Sequence, residues 1–167
     1  MKNKIKINSV AVTGVSSFVG MHLARIFSGS GCNVTAIISK PIESYEGIRA
    51  KRLAMLVGDV NFITCDLLKP GAFEQVIDVC KPNIWINHAG YTENYSSPDY
   101  DLAKSLALNM LSLEPLYQQL ADNECGVIIT GSSMEYSFCD VANREKDECW
   151  PETAYGISKL AGSVEAN

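Results

Sequence analysis

Residues 9–20 read SVAVTGVSSFVG and join a short apolar run to the beginning of an amphipathic segment. The run Ser9–Thr13 is almost continuously apolar and β-branched, which is typical of a strand buried on both faces. The residues that follow the turn repeat at helical spacing, with Val19, Leu23 and Ile26 or Phe27 on one side. The stretch therefore predicts a strand, a tight turn and a helix over Phe18–Ser28.

The same alternation continues along the chain. Four more runs resemble buried strands, and they are Asn33–Ile38, Asn61–Cys65, Ile84–Asn87 and Gly126–Thr130. Between them, helical spacing recurs over Ala72–Cys80, Leu102–Ala121 and, more weakly, Ile48–Leu56. Gly29–Gly31 predicts the end of the first helix, and Pro115 predicts a kink in the long one, because proline lacks a backbone donor. Repeated βαβ units close as a parallel sheet, so the predicted fold class is doubly wound α/β.

Composition and charge limit the function classes. A chain of 167 residues with 47% hydrophobic and 20% charged residues is typical of one globular domain. The net charge of -5, with one basic cluster at Lys2, Lys4 and Lys6, excludes the electrostatic surface that nucleic-acid binding requires. No apolar run approaches the length of a signal peptide core or a membrane span. A cytoplasmic protein with no membrane or nucleic-acid partner is expected.

The six cysteines contain no C-x-x-C pair. Cys32, Cys65, Cys80 and Cys125 each lie in or beside an apolar run. This pattern indicates reduced packing residues rather than a disulfide set or a metal site.

The first strand-to-helix turn is a candidate phosphate site. Gly14 permits a tight turn, and Gly20 lets the helix pack close to the strand. The free N–H groups and the dipole at the helix start favour the pyrophosphate of a dinucleotide. Ser17 occupies the position of a central glycine, where its hydroxyl can donate to a phosphate oxygen. An ordinary strand-to-helix turn is the alternative.

The end of the second predicted strand bears on the type of cofactor. NAD-binding sites usually present an acid there, whereas a 2′-phosphate prefers hydroxyl and basic groups. Ser39 and Lys40 fit the phosphate and predict NADP. If Lys40 is only a solvated loop residue and Glu43 supplies the acid, NAD is the alternative.

Two further strands end in polar or small residues, at the edge where open parallel sheets bind ligands. Asp66 either accepts a hydrogen bond from an adenine amino group or caps the following helix. Ala89 and Gly90 give a thin wall beside a cofactor. His88 is interpreted as a hydrogen-bonded structural histidine rather than a catalyst.

Tyr155 and Lys159 are four residues apart, which places them on one face of a helix. A cation near a phenol lowers its pKa, so that the phenol can exchange a proton with an alcohol or ketone near neutral pH. The preceding loop, Thr130–Tyr136, brings hydroxyl groups to the same end of the sheet.

The motifs, in their order, resemble the short-chain dehydrogenase/reductase superfamily, and within it the extended branch of NAD(P)-dependent sugar-nucleotide epimerases and dehydratases. They are T-G-x-x-x-x-x-G at Thr13–Gly20, Asp66, N-x-A-G at Asn87–Gly90, Asn109, S-S-x-x-Y at Ser132–Tyr136 and Y-x-x-x-K at Tyr155–Lys159. The N-x-A-G motif looks like the classical branch. The 23-residue gap from Ser132 to Tyr155 and the proline at Pro151 look like the extended branch.

The resemblance implies a Rossmann fold and a role for each matching residue. Tyr155 would be the general acid/base, Lys159 would hold the nicotinamide ribose, and Ser132 would hydrogen-bond the reacting oxygen. Asn109 would be a structural member of the proton-relay neighbourhood. The set of expected cofactor-binding residues is Gly14, Ser16, Ser17, Phe18, Gly20, Ser39, Lys40, Asp66, Ala89, Gly90, Asn109 and Lys159.

The implied activity is hydride transfer between a nucleotide sugar and NADP, or alternatively NAD, in a homodimer. Ser133 and Met134 replace the Asp-Glu pair of the family's 4,6-dehydratases, so epimerase or ketoreductase chemistry is favoured. Extended members are about twice as long, which implies that residues 1–167 are an incomplete Rossmann domain without its substrate domain, inactive by itself. A non-catalytic NADP-binding sensor or scaffold, and a classical short-chain alcohol or ketone reductase, are the alternatives.

Overall fold

The computed structural model describes residues 7–69, 71–111, 113–140 and 142–165, so the lysines at 2, 4 and 6 lie outside the described residues. The strands of the described part are β1 (Ser9–Thr13), β2 (Asn33–Ile38), β3 (Asn61–Thr64), β4 (Ile84–Asn87) and β5 (Gly126–Ile129). They form an all-parallel sheet in the order β3-β2-β1-β4-β5. The order reverses at β1, which confirms the predicted doubly wound α/β class.

The strand registers define the centre of the sheet. β1 pairs with β2 from Ser9 opposite Asn33 to Thr13 opposite Ile37, and with β4 from Val10 opposite Ile84 to Val12 opposite Ile86. The side chains of Val10, Val12 and Ile86 are buried. A parallel strand covered on both faces reads as a continuous apolar run, which is why the sequence identifies β1 so clearly.

The helices of the described part are α1 (Phe18–Gly29), α2 (Gly47–Ala54), α3 (Ala72–Cys80), α4 (Leu102–Leu106), α5 (Leu113–Asp122) and α6 (Ala154–Glu165). Short 3₁₀ turns occupy Ile42–Ser44 and Ser133–Glu135. None of the helices in the described residues is long and apolar enough to cross a membrane. The bounds of α1 and α3 agree with the predicted helices to within one residue.

The buried face of α1 agrees with the predicted one in part. Leu23 and Phe27 pack against the core as predicted, whereas Val19 and Ile26 are exposed. Gly20, Met21 and Ala24 complete the buried face.

The predicted long helix over residues 102–121 contains a π-helical turn. This turn, Ala107–Leu111, follows α4, and α5 covers Leu113–Asp122. Pro115 is the third residue of α5, and the kink expected there stays a prediction. An irregularity that was not predicted falls at Asn109, inside the π-helical turn.

The chain divides into two compact units. The first contains the described residues up to Ala89 together with Gln118–Ile128, and in it α1 packs on β1 and β2. The second contains Gly90–Tyr117 and the described residues from Ile129 onward, and in it α6 packs against α4, the π-helical turn and the Ser133–Glu135 turn. Each unit contains candidate site residues and is described separately below.

Candidate functional site

In the first unit, two glycines set the shape of the turn after β1. Gly14 has a φ of 71°, and a Cβ there would lie 2.9 Å from the Ala89 nitrogen. A Cβ on Gly20 would lie 2.3 Å from the Gly14 carbonyl oxygen. Neither position accepts a side chain, because in both cases the obstacle is backbone. The start of α1 therefore rests directly on the turn, and the turn rests on the end of β4.

The start of α1 has the donors that an anion requires. Ser17 is the N-cap, and its Oγ accepts a hydrogen bond from the Gly20 N–H at 3.0 Å. The N–H groups of Phe18 and Val19, at the first two helical positions, have no acceptor within the helix. The first turn contains no acidic residue. A dinucleotide pyrophosphate fits this donor set.

Ser17 is also bonded to His88, with 2.9 Å between the Oγ and the imidazole Nε2. The serine hydroxyl thus accepts from Gly20 and exchanges a hydrogen bond with the imidazole. The Ser17 hydroxyl can donate its proton to a phosphate oxygen, as predicted, when the His88 Nε2 is the donor in the hydrogen bond between the two side chains. The structure agrees with the interpretation of His88 as a hydrogen-bonded histidine.

Thr13 fixes the neighbouring strand end. Its side chain is fully buried, and its Oγ1 accepts hydrogen bonds from the backbone N–H of His88 at 2.9 Å and of Ala89 at 2.8 Å. The same hydroxyl lies 3.3 Å from the Ile86 carbonyl oxygen and 3.3 Å from the Asn87 Oδ1, and either oxygen can accept its proton. This buried hydroxyl holds the end of β4 beside the Gly14 turn. Sequence reasoning quoted Thr13 only as part of a motif and did not assign it this role.

Arg52, in α2, contacts the glycine turn and was not identified from the sequence. Its guanidinium donates to the Ser16 carbonyl oxygen at 3.5 Å and lies 5.9 Å from the centre of the Phe18 ring. Both contacts are with expected cofactor-binding residues. A cation on α2, far along the chain from the turn, leaves no local signal in the sequence.

Ser39 and Lys40 are both exposed at the end of β2. The Tyr45 hydroxyl lies 3.2 Å from the Ser39 nitrogen and 3.3 Å from its Oγ, and the Lys40 ammonium lies 4.9 Å from the centre of the Tyr45 ring. Tyr45, which sequence reasoning missed, thus orders both residues. The arrangement presents a hydroxyl and a cation at the end of β2.

Asp66 does not cap a helix. Its Oδ1 accepts from the Leu68 N–H at 3.2 Å, which closes a turn directly after β3. α3 begins later, with Gly71 as its N-cap. The N-cap alternative for Asp66 is therefore wrong, since the turn and the helix are separated in sequence.

In the second unit, two glycines position α6. A Cβ on Gly156 would lie 2.0 Å from the Met134 carbonyl oxygen, and a Cβ on Gly162 would lie 2.2 Å from the Asn109 carbonyl oxygen. The helix with Tyr155 and Lys159 therefore lies against the backbone of both neighbouring segments. Sequence reasoning used the tyrosine and the lysine of this helix and missed its glycines.

Ser132 and Tyr155 are brought together as predicted. Burial raises the pKa of the Tyr155 phenol above its ordinary value, while a hydrogen bond from the Ser132 side chain acts in the opposite direction. Tyr100, Glu135 and Tyr95 add smaller contributions that also raise the pKa. The net direction is opposite to the lowering expected from Lys159, because desolvation of the phenolate outweighs the hydrogen bond.

Lys159 does not bond to the Tyr155 phenol. Its ammonium donates to the Thr130 carbonyl oxygen at 2.9 Å. Burial lowers the pKa of Lys159, and the negative charge of Glu135 partly opposes that shift. The spacing of four residues correctly places both side chains on α6, but the ammonium is directed to the end of β5.

Asn109 belongs to a buried polar network. Its Nδ2 donates to the Ser105 and Ser158 hydroxyls, each at 3.2 Å, and the Tyr100 hydroxyl bonds to Ser105. Ser158 donates in turn to the Tyr155 carbonyl oxygen at 2.8 Å. The network supports the backbone of the helix turn that bears the phenol, which agrees with a structural role for Asn109.

Gly90 lies beside the side-chain amide of Asn109: a Cβ on Gly90 would lie 3.3 Å from the Asn109 Oδ1.

The described residues contain no group of three or more His, Cys, Asp or Glu side chains that could hold a metal ion.

A family model described as the NAD dependent epimerase/dehydratase family matches residues 10–166 of the chain. No curated protein sequence matches the chain significantly.

Three solved structures illustrate the similarity in fold. The Bordetella bronchiseptica enzyme WbmG, in complex with NAD and UDP, has a TM-score of 0.76 at 19% identity, over 96% of this chain and 49% of that chain. The Helicobacter pylori ADP-L-glycero-D-manno-heptose-6-epimerase has a TM-score of 0.77 at 18% identity, over 98% and 52%. A mutant UDP-glucuronic acid 4-epimerase from Bacillus cereus, in complex with NAD and a fluorinated UDP-sugar, has a TM-score of 0.77 at 19% identity, over 93% and 50%. The chain spans about half the length of these structures.

Proposed function

The chain belongs to the NAD-dependent epimerase/dehydratase family, and on this premise we propose that it serves hydride transfer between a nicotinamide dinucleotide and a nucleotide sugar. Tyr155 is the general acid/base of the proposal. The observation that supports it best is that the Ser132 side chain lies close enough to the Tyr155 phenol to lower its pKa against the effect of burial, with Lys159 one helical turn away on α6. This set of groups is suited to moving a proton to or from a carbonyl or alcohol oxygen.

The first unit binds the dinucleotide in this proposal. The N–H groups of Phe18 and Val19 and the dipole of α1 bind the pyrophosphate, and Gly14 and Gly20 keep that surface free of side chains. When bound, the nicotinamide ring supplies or accepts the hydride. The protein residues orient the groups and handle the proton.

The second unit handles the proton. Ser132 donates a hydrogen bond to the reacting sugar oxygen, and Tyr155 gives that oxygen a proton or takes one from it. The raised pKa of Tyr155 keeps the phenol protonated at neutral pH, so the residue is best prepared to protonate a sugar ketone. Lys159 binds a ribose hydroxyl in this proposal.

Epimerisation or ketone reduction fits the residues better than 4,6-dehydration. Ser133 and Met134 follow Ser132, and neither can supply the carboxylates of a dehydratase. The proposed substrate is a nucleoside-diphosphate sugar, a class that the named ligands of the similar solved structures favour. A homodimer is the proposed assembly.

NADP is the proposed cofactor and NAD the alternative. The exposed hydroxyl of Ser39 and the ammonium of Lys40 suit a 2′-phosphate, whereas the ligand named in the two complexes above is NAD. Calorimetric titration of the 167-residue chain with NADPH and NADH tests this. We expect NADPH to bind more tightly, and Lys40→Gln to weaken NADPH about tenfold while sparing NADH, as the loss of one charge-assisted contact implies.

Lys69→Gln, at an exposed position after β3, is the matched control. Tighter binding of NADH would overturn the NADP preference. If neither dinucleotide bound, the proposed dinucleotide site itself would be wrong.

A further inference from the structure

Glu135 has a buried carboxylate that takes no part in the proposed proton transfer. It lies in the 3₁₀ turn Ser133–Glu135 and is only 6% exposed. Its Oε1 accepts a hydrogen bond from the Ser132 backbone N–H at 2.7 Å, and its Oε2 accepts one from the Ser163 hydroxyl at 3.0 Å. A carboxylate is rarely buried in this way without a specific role, because desolvation of its charge is costly.

The two hydrogen bonds join the two elements on which the reactive groups stand. Ser132 belongs to the loop after β5, whereas Ser163 belongs to α6, one turn beyond Lys159. The Ser132 hydroxyl in turn accepts from the Met134 N–H at 3.2 Å, which completes a capping box with Glu135. One side chain thereby fixes the backbone of Ser132 relative to the helix with Tyr155 and Lys159.

The carboxylate also lies close to Gly131. A Cβ on Gly131 would lie 3.0 Å from the Glu135 Oε1, so a side chain at this position would crowd the carboxylate.

We propose that Glu135 is a positioning residue that ties Ser132 to α6 and places a fixed negative charge beside the Tyr155–Lys159 pair. The functional part of this inference rests on the proposed proton transfer. The hydrogen bonds alone would make Glu135 a structural cap. The negative charge of Glu135 also acts on the pKa of nearby groups, which a neutral capping residue would not do.

The second effect is electrostatic. The negative charge of Glu135 raises the pKa of Lys159, against the lowering caused by burial, and it also raises the pKa of Tyr155. The other groups that act on Tyr155 are the Ser132 hydrogen bond, Tyr100 and Tyr95. Glu135 therefore favours the protonated forms of both the phenol and the ammonium.

NMR titration of the 167-residue chain, with ¹³C labels at tyrosine Cζ and lysine Cε, tests the proposal. Tyr155→Phe and Lys159→Met assign the two signals. Glu135→Gln retains an acceptor for the Ser132 N–H and removes the charge. We expect it to lower the pKa of Lys159 by roughly one unit, the usual scale for one nearby charge, and that of Tyr155 in the same direction by less. Glu148→Gln, at an exposed position, should leave both unchanged.

Unchanged values in a folded Glu135→Gln chain would overturn the proposal and leave Glu135 a structural cap. If that variant does not fold, Glu135→Asp keeps the charge but shortens the side chain. The Ser132 amide should then exchange with solvent at least tenfold faster, as expected for loss of a strong hydrogen bond, while both pKa values stay near those of the wild type. Unaltered exchange of that amide would overturn the tie to Ser132. These titrations need no cofactor, so a failure to bind dinucleotide would count against the proposed function alone.

Discussion

The Tyr155 phenol has the most specific role of any group in the proposed reaction. Its ring lies 5.5 Å from that of Tyr95 and 6.1 Å from that of Tyr100, and phenylalanine preserves both contacts. Tyr155→Phe should reduce nucleotide-sugar turnover at least about 10²-fold, because proton transfer by a positioned side chain contributes that much or more. The dinucleotide affinity should change little. Steady-state kinetics and calorimetry of the same preparation check both parts.

Tyr95→Phe is the matched control, since it removes a hydroxyl from a half-exposed ring and should leave turnover nearly unchanged. Near-wild-type turnover of the Tyr155→Phe variant would show that this tyrosine is an ordinary helix residue.

Two buried thiols make the free energy of unfolding depend on pH in the alkaline range. Burial raises the pKa of Cys65 and of Cys125 from 9.0 to about 11. The folded state thus holds the two protons more tightly than the unfolded state does. This contribution to stability is complete below pH 9 and is lost as the pH rises through about 11. We expect the urea midpoint to fall over that interval in the wild type.

The double variant with Cys65→Ala and Cys125→Ala should show a shallower fall over the same interval, although it is less stable at neutral pH because it loses packing. Cys139→Ala, at an exposed position, is the control and should follow the wild type. An equally steep fall in the double variant would contradict the assignment to these thiols.

At the residue scale, the sequence predicted which groups meet better than it predicted their ionisation. A spacing of four residues is enough to place Tyr155 and Lys159 on one helix. It does not specify that the Lys159 ammonium donates to Thr130, or that burial dominates the Tyr155 pKa. Both depend on packing between segments that are distant in the chain.

At the element scale, α1 offers a test of close packing with a control in the same helix. A Cβ on Gly20 would lie 2.3 Å from the Gly14 carbonyl oxygen, whereas a Cβ on Gly29 would meet nothing within 4 Å. Gly20→Ala should lower the free energy of unfolding by about 2 kcal/mol or more and should weaken dinucleotide binding, because the turn must move. Gly29→Ala should be neutral or stabilising by up to about 1 kcal/mol, since alanine is the better helix former.

Chemical denaturation and dinucleotide titration of both variants measure this difference. Equal effects of the two substitutions would mean that the Gly20 contact does not hold α1 against the turn.

The predicted elements agree with the structure where one face or both faces of an element are uniformly buried. The bounds of β1, β2 and β4 match the predicted runs, because central parallel strands are apolar throughout. The interruption at Ala107–Leu111 was not predicted, since a π-helical turn retains helical spacing on either side. The backbone contact of Gly162 with Asn109 shows what lies against this turn, and single-sequence periodicity contains no such information.

At the scale of the whole molecule, the candidate residues separate by unit. The turn residues that suit a dinucleotide lie in the first unit, and Ser132, Tyr155 and Lys159 lie in the second. The second unit is assembled from two stretches that are apart in sequence. Composition is uniform across these stretches, so the division could not be read from the sequence, although the chemistry of each group of residues could.

The edge strand β5 is expected to promote self-association of the chain. In the described part of the chain, β5 lies at one end of the strand order, and its Val127 and Ile128 are 38% and 44% exposed. An apolar edge strand presents unpaired backbone groups to a second copy of the same strand. We expect the 167-residue chain to self-associate in sedimentation velocity over a concentration series. Ile128→Lys should shift it toward the monomer, because lysine on an edge strand opposes such pairing. Ile48→Lys, at an exposed position on α2, should not. A wild-type chain that stays monomeric at every concentration would contradict the prediction, and equal effects of the two lysines would assign the association to general hydrophobicity rather than to β5.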